Sequence, residues 1–337
     1  MKIEKNIFGE GSLYEENDLK EKVYVLCSAC MSVYSDILSW ANSHPEKIAK
    51  TPAEAKSLIV LSCQVTDLAI LNDLRKAEKL MADFPGRDYY IGGCLAKRFD
   101  VNLTVGLRRL DTLRTDYQPI DRRELVDFDK PFWVPKFEEK DNALADGHLF
   151  REMYPLRISV GCSQSCTYCT IRTTRGKPYE LETEKLEKEF LSHENVLLIA
   201  DSPSVKQLTE WCLLAEKHNK PMSIRNIEPH TASEMAADLL RLAERGLLKV
   251  FHCPVQSSDA EVLKDMRRSP QKTFGAIDLM RQLKAAGVVT ATNIIIDYKN
   301  FPNPSLPSGV FDYVSWNPYW AGSWDRKTAE ERFARYL

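Results

Sequence analysis

Short apolar runs alternate with helix-like segments along most of this 337-residue chain. The first three runs lie at 23–26, 57–61 and 89–91, and each is followed by a cysteine and then by a helix-like segment. Such runs, rich in β-branched and aromatic residues, are typical of buried strands. Because strands that alternate with helices tend to form parallel sheets, we predict a small α/β domain near the N-terminus.

The alternation resumes after a stretch of mixed charge and several prolines. Six further strands joined by right-handed crossovers favour an open or partial parallel barrel. Prolines and a glycine at 297–309 make an irregular loop, not a helix, the expectation there. The predicted strands are 156–160, 196–200, 222–226, 250–255, 289–296 and 313–317, and the predicted helices are 184–192, 205–218, 233–245, 259–268 and 272–286. The predicted domains are an N-terminal parallel-sheet α/β domain at 1–115, a linker at 116–150 and a partial (β/α)6 barrel at 151–337.

Composition limits where such a chain can work. Hydrophobic residues make up 44% of the chain and charged residues 28%, as in ordinary soluble proteins. No stretch approaches the roughly 20 apolar residues of a membrane span, the N-terminus has no apolar signal region, and nine cysteines do not suggest a secreted disulfide framework. We therefore expect a cytoplasmic protein with no membrane partner. The net charge of −2 means that any nucleic-acid binding would depend on a local basic patch.

Three cysteines follow the first barrel strand with the spacing C-x3-C-x2-C: Cys162, Cys166 and Cys169. This position is the carboxyl edge of the sheet, where parallel α/β folds place their sites. Iron–sulfur clusters are held by cysteine thiolates, and three of them leave one iron of a four-iron cluster open for a cofactor. The alternatives are a zinc site, which usually needs a fourth ligand and paired C-x2-C elements, or a set of buried free thiols.

A second set of cysteines follows the three N-terminal strands: Cys30, Cys63 and Cys94. Successive parallel strands bring their carboxyl ends to one edge, so these thiols can converge on a second cluster. The alternative is three small buried apolar side chains, since free cysteine is commonly buried. Cys27 lies an odd number of residues from Cys30 and should point to the other face of its strand. We expect Cys27 and Cys212 to pack in the core, and Cys253 to pack or to line the site.

Several motifs carry a resemblance to a known family. The cysteine spacing, with Tyr168 before the last cysteine, resembles the radical S-adenosylmethionine (SAM) superfamily, and the chain resembles the radical SAM methylthiotransferases over nearly its full length. The similar segments are KVYVLCSAC at 22–30, VLSC at 60–63, IGGCLAKR at 91–98, DVNLTVG at 100–106, RG at 175–176, IRNIEP at 224–229, CPVQSSD at 253–259 and MRR at 266–268. The chain departs from the family at Ala200-Asp201, where a Gly-Gln pair is usual, and at Asn293, where an aspartate is usual.

The resemblance implies two [4Fe-4S] clusters and SAM as cofactors. The cluster on the C-x3-C-x2-C motif would cleave SAM to a carbon radical, which makes the three cysteines catalytic as well as metal ligands. The cluster on the N-terminal cysteines would deliver the sulfur. An electron donor such as flavodoxin or ferredoxin would be needed. The expected SAM or substrate contacts near the carboxyl ends of the barrel strands are Asp201, Ser202, Arg225, Glu228, Gln256 and Asn293. Tyr168 would pack near the adenine of SAM, with a core aromatic as the alternative.

The resemblance also implies a substrate. The favoured substrate is an adenosine of tRNA at position 37, which would gain a methylthio group at an unactivated C–H bond. The family's small C-terminal RNA-binding barrel, the TRAM domain, has no counterpart before Leu337. Methylthiolation of a protein or peptide side chain, such as an aspartate β-carbon, is therefore an alternative. Another is a diverged, non-catalytic cluster-binding protein that binds RNA or serves as a scaffold.

Overall fold

A computed structural model of the protein describes most of the chain outside its N-terminal, central and C-terminal stretches. The described residues are 13–15, 19, 21–27, 30, 32–33, 35, 41, 44–63, 67–98, 101–111, 150, 153–169, 171–296, 298–300 and 305–318. The chain divides into two compact units, which are Met1–Asp141 and Asn142–Leu337. Apart from residue 150, the linker predicted at 116–150 lies outside the described residues.

The first unit contains, in its described part, a parallel sheet of five strands in the order β1-β5-β4-β3-β2. The strands are β1 Leu13–Glu15, β2 Val23–Cys27, β3 Ser57–Ser62, β4 Asp88–Gly93 and β5 Leu107–Asp111. The three predicted strands are confirmed as β2, β3 and β4. The sequence prediction missed β1, which is very short, and β5, whose two adjacent arginines hide its apolar pattern.

Helix α1, Asp67–Asp83, connects β3 to β4 and covers one face of this sheet. Ile70 and Ala77 of the helix pack with Val60 of β3 and Ile91 of β4 in one buried cluster. Every residue of β3 is buried, because strands flank it on both sides and the helix covers it. These contacts fix the carboxyl ends of β2, β3 and β4, where the N-terminal cysteines lie.

The second unit contains, among its described residues, a parallel sheet of six strands in the order β13-β12-β11-β10-β9-β6. All neighbouring pairs are parallel, which confirms the predicted succession of β/α units and the α/β fold class. The strands are β6 Tyr154–Arg157, β9 Val196–Ile199, β10 Met222–Arg225, β11 Leu248–His252, β12 Val289–Ile296 and β13 Tyr313–Pro318, and a separate antiparallel pair is β7 Ser159–Val160 with β8 Tyr179–Glu180.

The helices of the second unit largely follow the predicted bounds. They are α2 Ile171–Arg175, α3 Thr183–Ser192, α4 Val205–His218, α5 Pro229–Glu234, α6 Ala236–Glu244, α7 Ala260–Asp265 and α8 Pro270–Ala285. The helix predicted at 233–245 is wrong at its start, because the chain forms two helices that meet at the non-helical residue Met235. Pro229 begins the first of them, as a proline commonly does in the first turn.

Two further expectations concern segments without long helices. Between β12 and β13, the described residues contain one short 3-10 turn, Tyr298–Asn300, and no α-helix, in line with the irregular loop expected there. Across the ranges that the structure describes, no helix has both the length and the apolar character needed to cross a bilayer.

Candidate metal centre

The loop that carries Cys162, Cys166 and Cys169 runs from β7 to α2, beside the carboxyl end of β6. Its first residue, Gly161, has a φ of +85°, and a Cβ atom there would stand 2.3 Å from the carbonyl oxygen of Lys177. Only glycine can therefore occupy this turn. The amide of Cys162 donates a hydrogen bond to the carbonyl oxygen of Gly176 at 3.2 Å, which fixes the start of the loop to the segment after α2.

The three cysteines of this loop are free and differ in burial. Cys162 is buried, whereas Cys166 and Cys169 are half-buried, and none of the three is in a disulfide. The backbone amides of Gln164 and Ile171 approach the Sγ atoms of Cys162 and Cys169, at 3.4 and 3.5 Å. Such N–H···S contacts stabilise thiolates and are one of the means by which proteins tune iron–sulfur clusters.

Cys166 faces an open cavity of about 360 Å³. Its lining includes the carboxyl group of Glu228 as well as the basic side chains of Arg267, Arg268 and Lys272. The residues that line it are Gln164, Cys166, Glu228, Pro229, His230, Arg267, Arg268, Ser269, Lys272 and Thr273. The cavity gives the cysteine loop an opening toward solvent, as a site that receives a cofactor or a substrate requires.

Two thiols of the loop, those of Cys162 and Cys169, have raised pKa values. Burial raises the pKa of Cys162 to about 12, with the nearby charge of Glu228 adding to the effect, and burial raises the pKa of Cys169 to about 11. Glu228 Oε1 lies 3.3 Å from Cys162 Sγ, and burial raises the pKa of that carboxyl as well. These thiols are therefore poor nucleophiles, and a metal centre must displace their protons in order to bind.

The donor set fits an iron–sulfur cluster better than a single metal ion. Within the described ranges, no group of three His, Cys, Asp or Glu side chains converges closely enough to hold one metal ion. A zinc ion with bonds of about 2.3 Å would draw its thiolates to within roughly 4 Å of one another. A four-iron cluster binds each thiolate through a different iron and so keeps the sulfurs further apart. Three free thiols on one glycine-initiated loop, two of them approached by backbone amides, provide the three ligands that such a cluster would take.

Asp201 follows β9 and is engaged with neighbouring residues of the chain. Its Oδ2 accepts a hydrogen bond from the Gly161 amide at 2.9 Å and lies 3.4 Å from Nη1 of Arg175, while its Oδ1 lies 3.6 Å from Nη1 of Arg157. The three side chains are 1–2% exposed. The carboxylate thus joins the start of the cysteine loop to two buried arginines, and a SAM contact by Asp201 stays a prediction.

Tyr168 joins the second half of the loop to the core. Its ring packs against the buried cluster that contains Val262 and Met266, and its hydroxyl accepts a hydrogen bond from Arg268 Nη1 at 2.8 Å. Arg268 also donates to the carbonyl oxygen of Pro254 at 3.0 Å. Sequence reasoning did not select Arg268, because one arginine of an Arg-Arg pair looks like a solvated surface group. Whether Tyr168 also contacts the adenine of SAM stays a prediction.

The other predicted contacts lie near the carboxyl ends of the barrel strands. The hydroxyl of Ser202 forms a hydrogen bond with Cys162, and the buried guanidinium of Arg225 lies 5.7 Å from the ring centre of Phe150. The amide of Gln256, at a φ of +66°, donates to the carbonyl oxygen of Asn293.

The side chain of Asn293 also contacts the ring of His252, which is fully buried. Its Oδ1 lies 2.9 Å from His252 Nε2, while His252 Nδ1 accepts a hydrogen bond from the amide of Asn226. His252 is therefore a structural histidine in the second unit. The roles of Ser202, Arg225, Gln256 and Asn293 toward SAM or the substrate stay predictions.

The N-terminal cysteines lie at one edge of the first sheet, as predicted. β2, β3 and β4 are adjacent; Cys63 and Cys94 directly follow their strands, and Cys30 comes three residues after Cys27, the last residue of β2. The three are half-buried, unlike Cys27, Cys212 and Cys253, which are buried. Burial therefore distinguishes the N-terminal trio from the packing cysteines, although Cys162 of the other trio is buried as well. Whether the N-terminal trio holds a second cluster stays a prediction.

Two further residues position this trio. Gly93, before Cys94, has a φ of +73°, and a Cβ there would stand 2.5 Å from the carbonyl oxygen of Ser62. Arg109 of β5 is buried and donates hydrogen bonds to the carbonyl oxygens of Leu95 and Ala96, at 3.1 and 3.2 Å, and to that of Val101 at 2.6 Å. The segment that follows Cys94 is therefore fixed by a side chain that sequence reasoning missed.

Comparison with known proteins gives matches to both units. Residues 156–300 match the Radical SAM superfamily. A tRNA-2-methylthio-N(6)-dimethylallyladenosine synthase from Helicobacter pylori (strain Shi470) is 25% identical over 322 residues, covering 84% of this chain and 70% of that protein. A protein of the same name from Sulfurovum sp. (strain NBC37-1) is 21% identical, covering 75% of this chain and 64% of that protein.

Two other matches are more distant or shorter. The ribosomal protein uS12 methylthiotransferase RimO of Helicobacter hepaticus (strain ATCC 51449 / 3B1) is 22% identical over 231 residues, covering 62% of this chain and 50% of that protein. A solved structure of the radical S-adenosylmethionine methyltransferase TsrM from Kitasatospora setae aligns with a TM-score of 0.49 at 10% identity, covering 82% of this chain and 69% of that one. A structural similarity this weak does not by itself establish a common fold.

Proposed function

We propose that this chain, which carries a radical SAM domain and is related to methylthiotransferases, is an enzyme that inserts a methylthio group at an unactivated C–H bond. One observation carries the proposal. Cys162, Cys166 and Cys169 share one loop at the carboxyl edge of a six-stranded parallel sheet, inside the segment that matches the radical SAM superfamily. The relatives named as methylthiotransferases support the type of transfer.

With a [4Fe-4S] cluster on these three cysteines and SAM on its open iron, the site would supply a carbon radical able to remove hydrogen from an unactivated C–H bond. The contribution of the chain is placement and exclusion of side reactions. The amides of Gln164 and Ile171 would stabilise the thiolates, and the burial of Cys162 would keep water from that side of the site. Tyr168 and Arg268 would hold the second half of the loop in place.

We propose that Cys30, Cys63 and Cys94 hold a second [4Fe-4S] cluster, which would carry the sulfur to be transferred. The support is their position after three adjacent parallel strands and their partial exposure, which the packing cysteines lack. Gly93 and Arg109 further fix the segment around Cys94. Three small packing residues would need neither partial exposure nor such fixation.

The proposed substrate is a tRNA, with an adenosine at position 37 as the modified nucleoside, and the proposed location is the cytoplasm. The relatives from Helicobacter pylori and Sulfurovum are named for the methylthiolation of a tRNA adenosine. An electron donor such as flavodoxin or ferredoxin would reduce the cluster. The second candidate is a protein or peptide substrate, with an aspartate β-carbon as the target, because another relative is named for a ribosomal protein.

Two measurements test this proposal. The anaerobically reconstituted protein, reduced and supplied with SAM, should release 5′-deoxyadenosine, and a Cys166→Ala variant should release none.

Mass spectrometry of nucleosides from bulk tRNA, with and without the active gene, should reveal a methylthio-adenosine only when the gene is present. A methylthio group found instead on a ribosomal-protein peptide would favour the second candidate. If the reconstituted protein, with all its cysteines present, does not cleave SAM, the non-catalytic scaffold alternative would be favoured.

A further inference from the structure

Thr167 directly follows Cys166 in the cysteine loop and is bonded to two segments that are far away in the sequence. Its amide donates a hydrogen bond to the carbonyl oxygen of Met266 at 3.3 Å. Its hydroxyl donates to the carbonyl oxygen of Asp265 at 3.1 Å and lies 2.7 Å from the hydroxyl of Tyr298. The end of α7 and the turn that follows β12 therefore meet at one threonine of the cysteine loop.

Tyr298 is fixed by its own packing and by the residue that follows it. It is 2% exposed and belongs to the buried cluster against which Tyr168 also packs. Lys299 has a φ of +43°, and its Nζ atom lies 2.7 Å from Asp265 Oδ2. A residue with a Cβ atom rarely adopts this left-handed conformation, and such residues tend to occur at functional sites. The turn after β12 is therefore fixed against the end of α7.

Both residues between the two half-buried cysteines of the loop thus have a side-chain partner from elsewhere in the second unit. Arg268 donates to the hydroxyl of Tyr168, and the hydroxyl of Tyr298 contacts that of Thr167. Two thiols in a C-x2-C spacing can bind different irons of one cluster only if the backbone between them directs both toward it. Contacts behind metal ligands commonly set such an orientation. A tyrosine that served packing alone would need no hydroxyl contact with this loop.

We propose that Tyr298 is a positioning residue for Cys166 and Cys169. Its hydroxyl, acting through Thr167, keeps the segment between the two cysteines in the conformation that presents both thiols to one cluster. Tyr298 has further polar neighbours, Asp265 among them, so the role lies in the contact between the two hydroxyls and not in the whole side chain. The inference rests on the radical SAM part of the proposed function and not on sulfur transfer.

The contact is tested on the metal-free protein by hydrogen–deuterium exchange in a double-mutant cycle. Tyr298→Phe removes one hydroxyl and keeps the ring, and Thr167→Val removes the other and keeps the shape of the side chain. Each single variant should raise the exchange rate of peptides that cover residues 163–169 by about threefold or more, as expected for a lost hydrogen bond. The double variant should exchange more slowly than the product of the two effects predicts, because the shared hydrogen bond can be lost only once.

The cycle cancels the other contacts of each hydroxyl, so it reports on the pair alone. Single effects that multiply in the double variant, or an unchanged exchange rate in Tyr298→Phe, would overturn the role of the contact. The matched control is Tyr89→Phe, which removes a tyrosine hydroxyl that donates to the carbonyl oxygen of Phe84 at 2.7 Å in the first unit. It should leave the exchange of residues 163–169 unchanged.

A second measurement separates positioning from general stability. In a Cys30→Ala background, only the C-terminal trio can hold a cluster. There, Tyr298→Phe and Thr167→Val should each lose iron to a chelator about threefold faster or more, with an altered EPR spectrum of the reduced cluster. Tyr89→Phe should lower the Tm without changing the rate of iron loss.

Thr167→Ser keeps the hydroxyl and should restore the wild-type rate of iron loss. Equal rates in Thr167→Ser and Thr167→Val, or a wild-type rate in Tyr298→Phe, would overturn the positioning role. If the wild-type protein bound no iron at this trio, the radical SAM part of the proposed function would fail. Multiplying effects in the metal-free cycle would instead overturn the role of Tyr298 and leave the proposed function untouched.

Discussion

A glycine immediately precedes one cysteine in each trio, Gly93 before Cys94 and Gly161 before Cys162. Both have a positive φ, and at both an added Cβ would stand 2.5 Å or less from a backbone carbonyl oxygen. The neighbouring atom belongs to the backbone and cannot move aside as a side-chain tip could. Steric exclusion at these two glycines therefore restricts the backbone that leads into Cys94 and Cys162.

Gly161→Ala should destabilise the second unit by more than the left-handed conformation alone costs, which is about 1–2 kcal/mol for a residue with a Cβ. The excess comes from the contact with Lys177. The control is Gly246→Ala, since Gly246 has a φ of +69° but no atom within 4 Å of the added Cβ. Thermal melting of both variants checks the comparison, and equal shifts in Tm would remove the steric explanation.

The nine cysteines separate by burial into packing residues and candidate ligands, with Cys162 as the buried exception among the candidates. Cys212 is fully buried, and burial raises the pKa of its thiol to about 12. Its thiol is therefore inert and contributes through packing alone. The sequence predicted this role from the position of Cys212 within a helix.

Cys166→Ala should lower the iron content of the reconstituted protein by about four irons per chain, because a cluster with a missing ligand is lost. Cys212→Ala removes one buried sulfur atom from the core. It should reduce the free energy of unfolding by about 1 kcal/mol and leave the iron content unchanged. Iron analysis together with thermal melting of both variants checks the pair. Loss of iron from Cys212→Ala would contradict the division of the cysteines by burial.

At the scale of single elements, β5 reads as a polar segment but contributes buried residues to the first unit. Leu107 and Leu110 are buried, and Arg109 is buried as well, with its guanidinium on three backbone carbonyl oxygens. Its neighbour Arg108 is exposed and pairs with Asp88. Two arginines that look alike in the sequence thus have opposite environments, because successive side chains of a strand point to opposite faces.

Arg109→Met should reduce iron binding by the N-terminal trio, because the segment after Cys94 loses its hydrogen-bond donors and three carbonyl oxygens lose a partner. Arg108→Met should leave iron binding unchanged, because exposed ion pairs contribute little. Iron content in a Cys162→Ala background, where only the N-terminal trio can bind, gives the readout. Unchanged iron in Arg109→Met would mean that the trio does not depend on this fixation.

Asp312 stabilises the start of β12. Its Oδ2 accepts a hydrogen bond from the Thr290 amide at 2.8 Å, and its Oδ1 lies 2.8 Å from Lys284 Nζ. Burial alone would raise the pKa of Asp312, but the hydrogen bonds from Lys284 and Thr290 outweigh it and lower that pKa below its usual range. The stabilisation is therefore present above the unfolded pKa of about 3.9 and is lost as the pH falls through the lower folded value.

Asp312→Asn should reduce the free energy of unfolding by about 0.5–1 kcal/mol at pH 7, a small value because the pair is partly exposed. The difference from the wild type should shrink as the pH falls below about 4, since the wild-type carboxyl then becomes neutral. Urea unfolding at several pH values checks this. A difference that stayed constant down to pH 2 would show that the charge of Asp312 plays no part.

At the scale of the whole molecule, each compact unit has its own parallel sheet and its own set of cysteines near a carboxyl edge. Each trio is held by contacts within its own unit: Arg109 in the first, and Asp201 and Tyr168 in the second. Effects at sites without shared partners usually add. The two proposed clusters should therefore be lost independently.

Cys30→Ala and Cys162→Ala should each remove about four of roughly eight irons per chain, and the double variant should bind almost none. Iron analysis after anaerobic reconstitution checks whether the losses in the two single variants add up to the loss in the double variant. An iron content near four in the wild type, unchanged in Cys30→Ala, would remove the second cluster. A complete loss in either single variant would contradict the independence of the two trios.

The sequence by itself determined the α/β class, the succession of strands and helices in the second unit, and the positions of the two sets of cysteines. These depend on periodicity and spacing, which are local properties: a buried strand such as Val196–Ile199 is apolar over its whole length, and the spacing of cysteines can be read directly from the sequence. Only the tertiary structure decided the surroundings of those cysteines. Asp201, Arg268 and Arg109 looked like solvent-exposed or ligand-facing groups, yet they hold backbone and side chains far away in the sequence. Burial and hydrogen-bond partners of a charged side chain depend on elements that meet only after folding, so no local pattern encodes them.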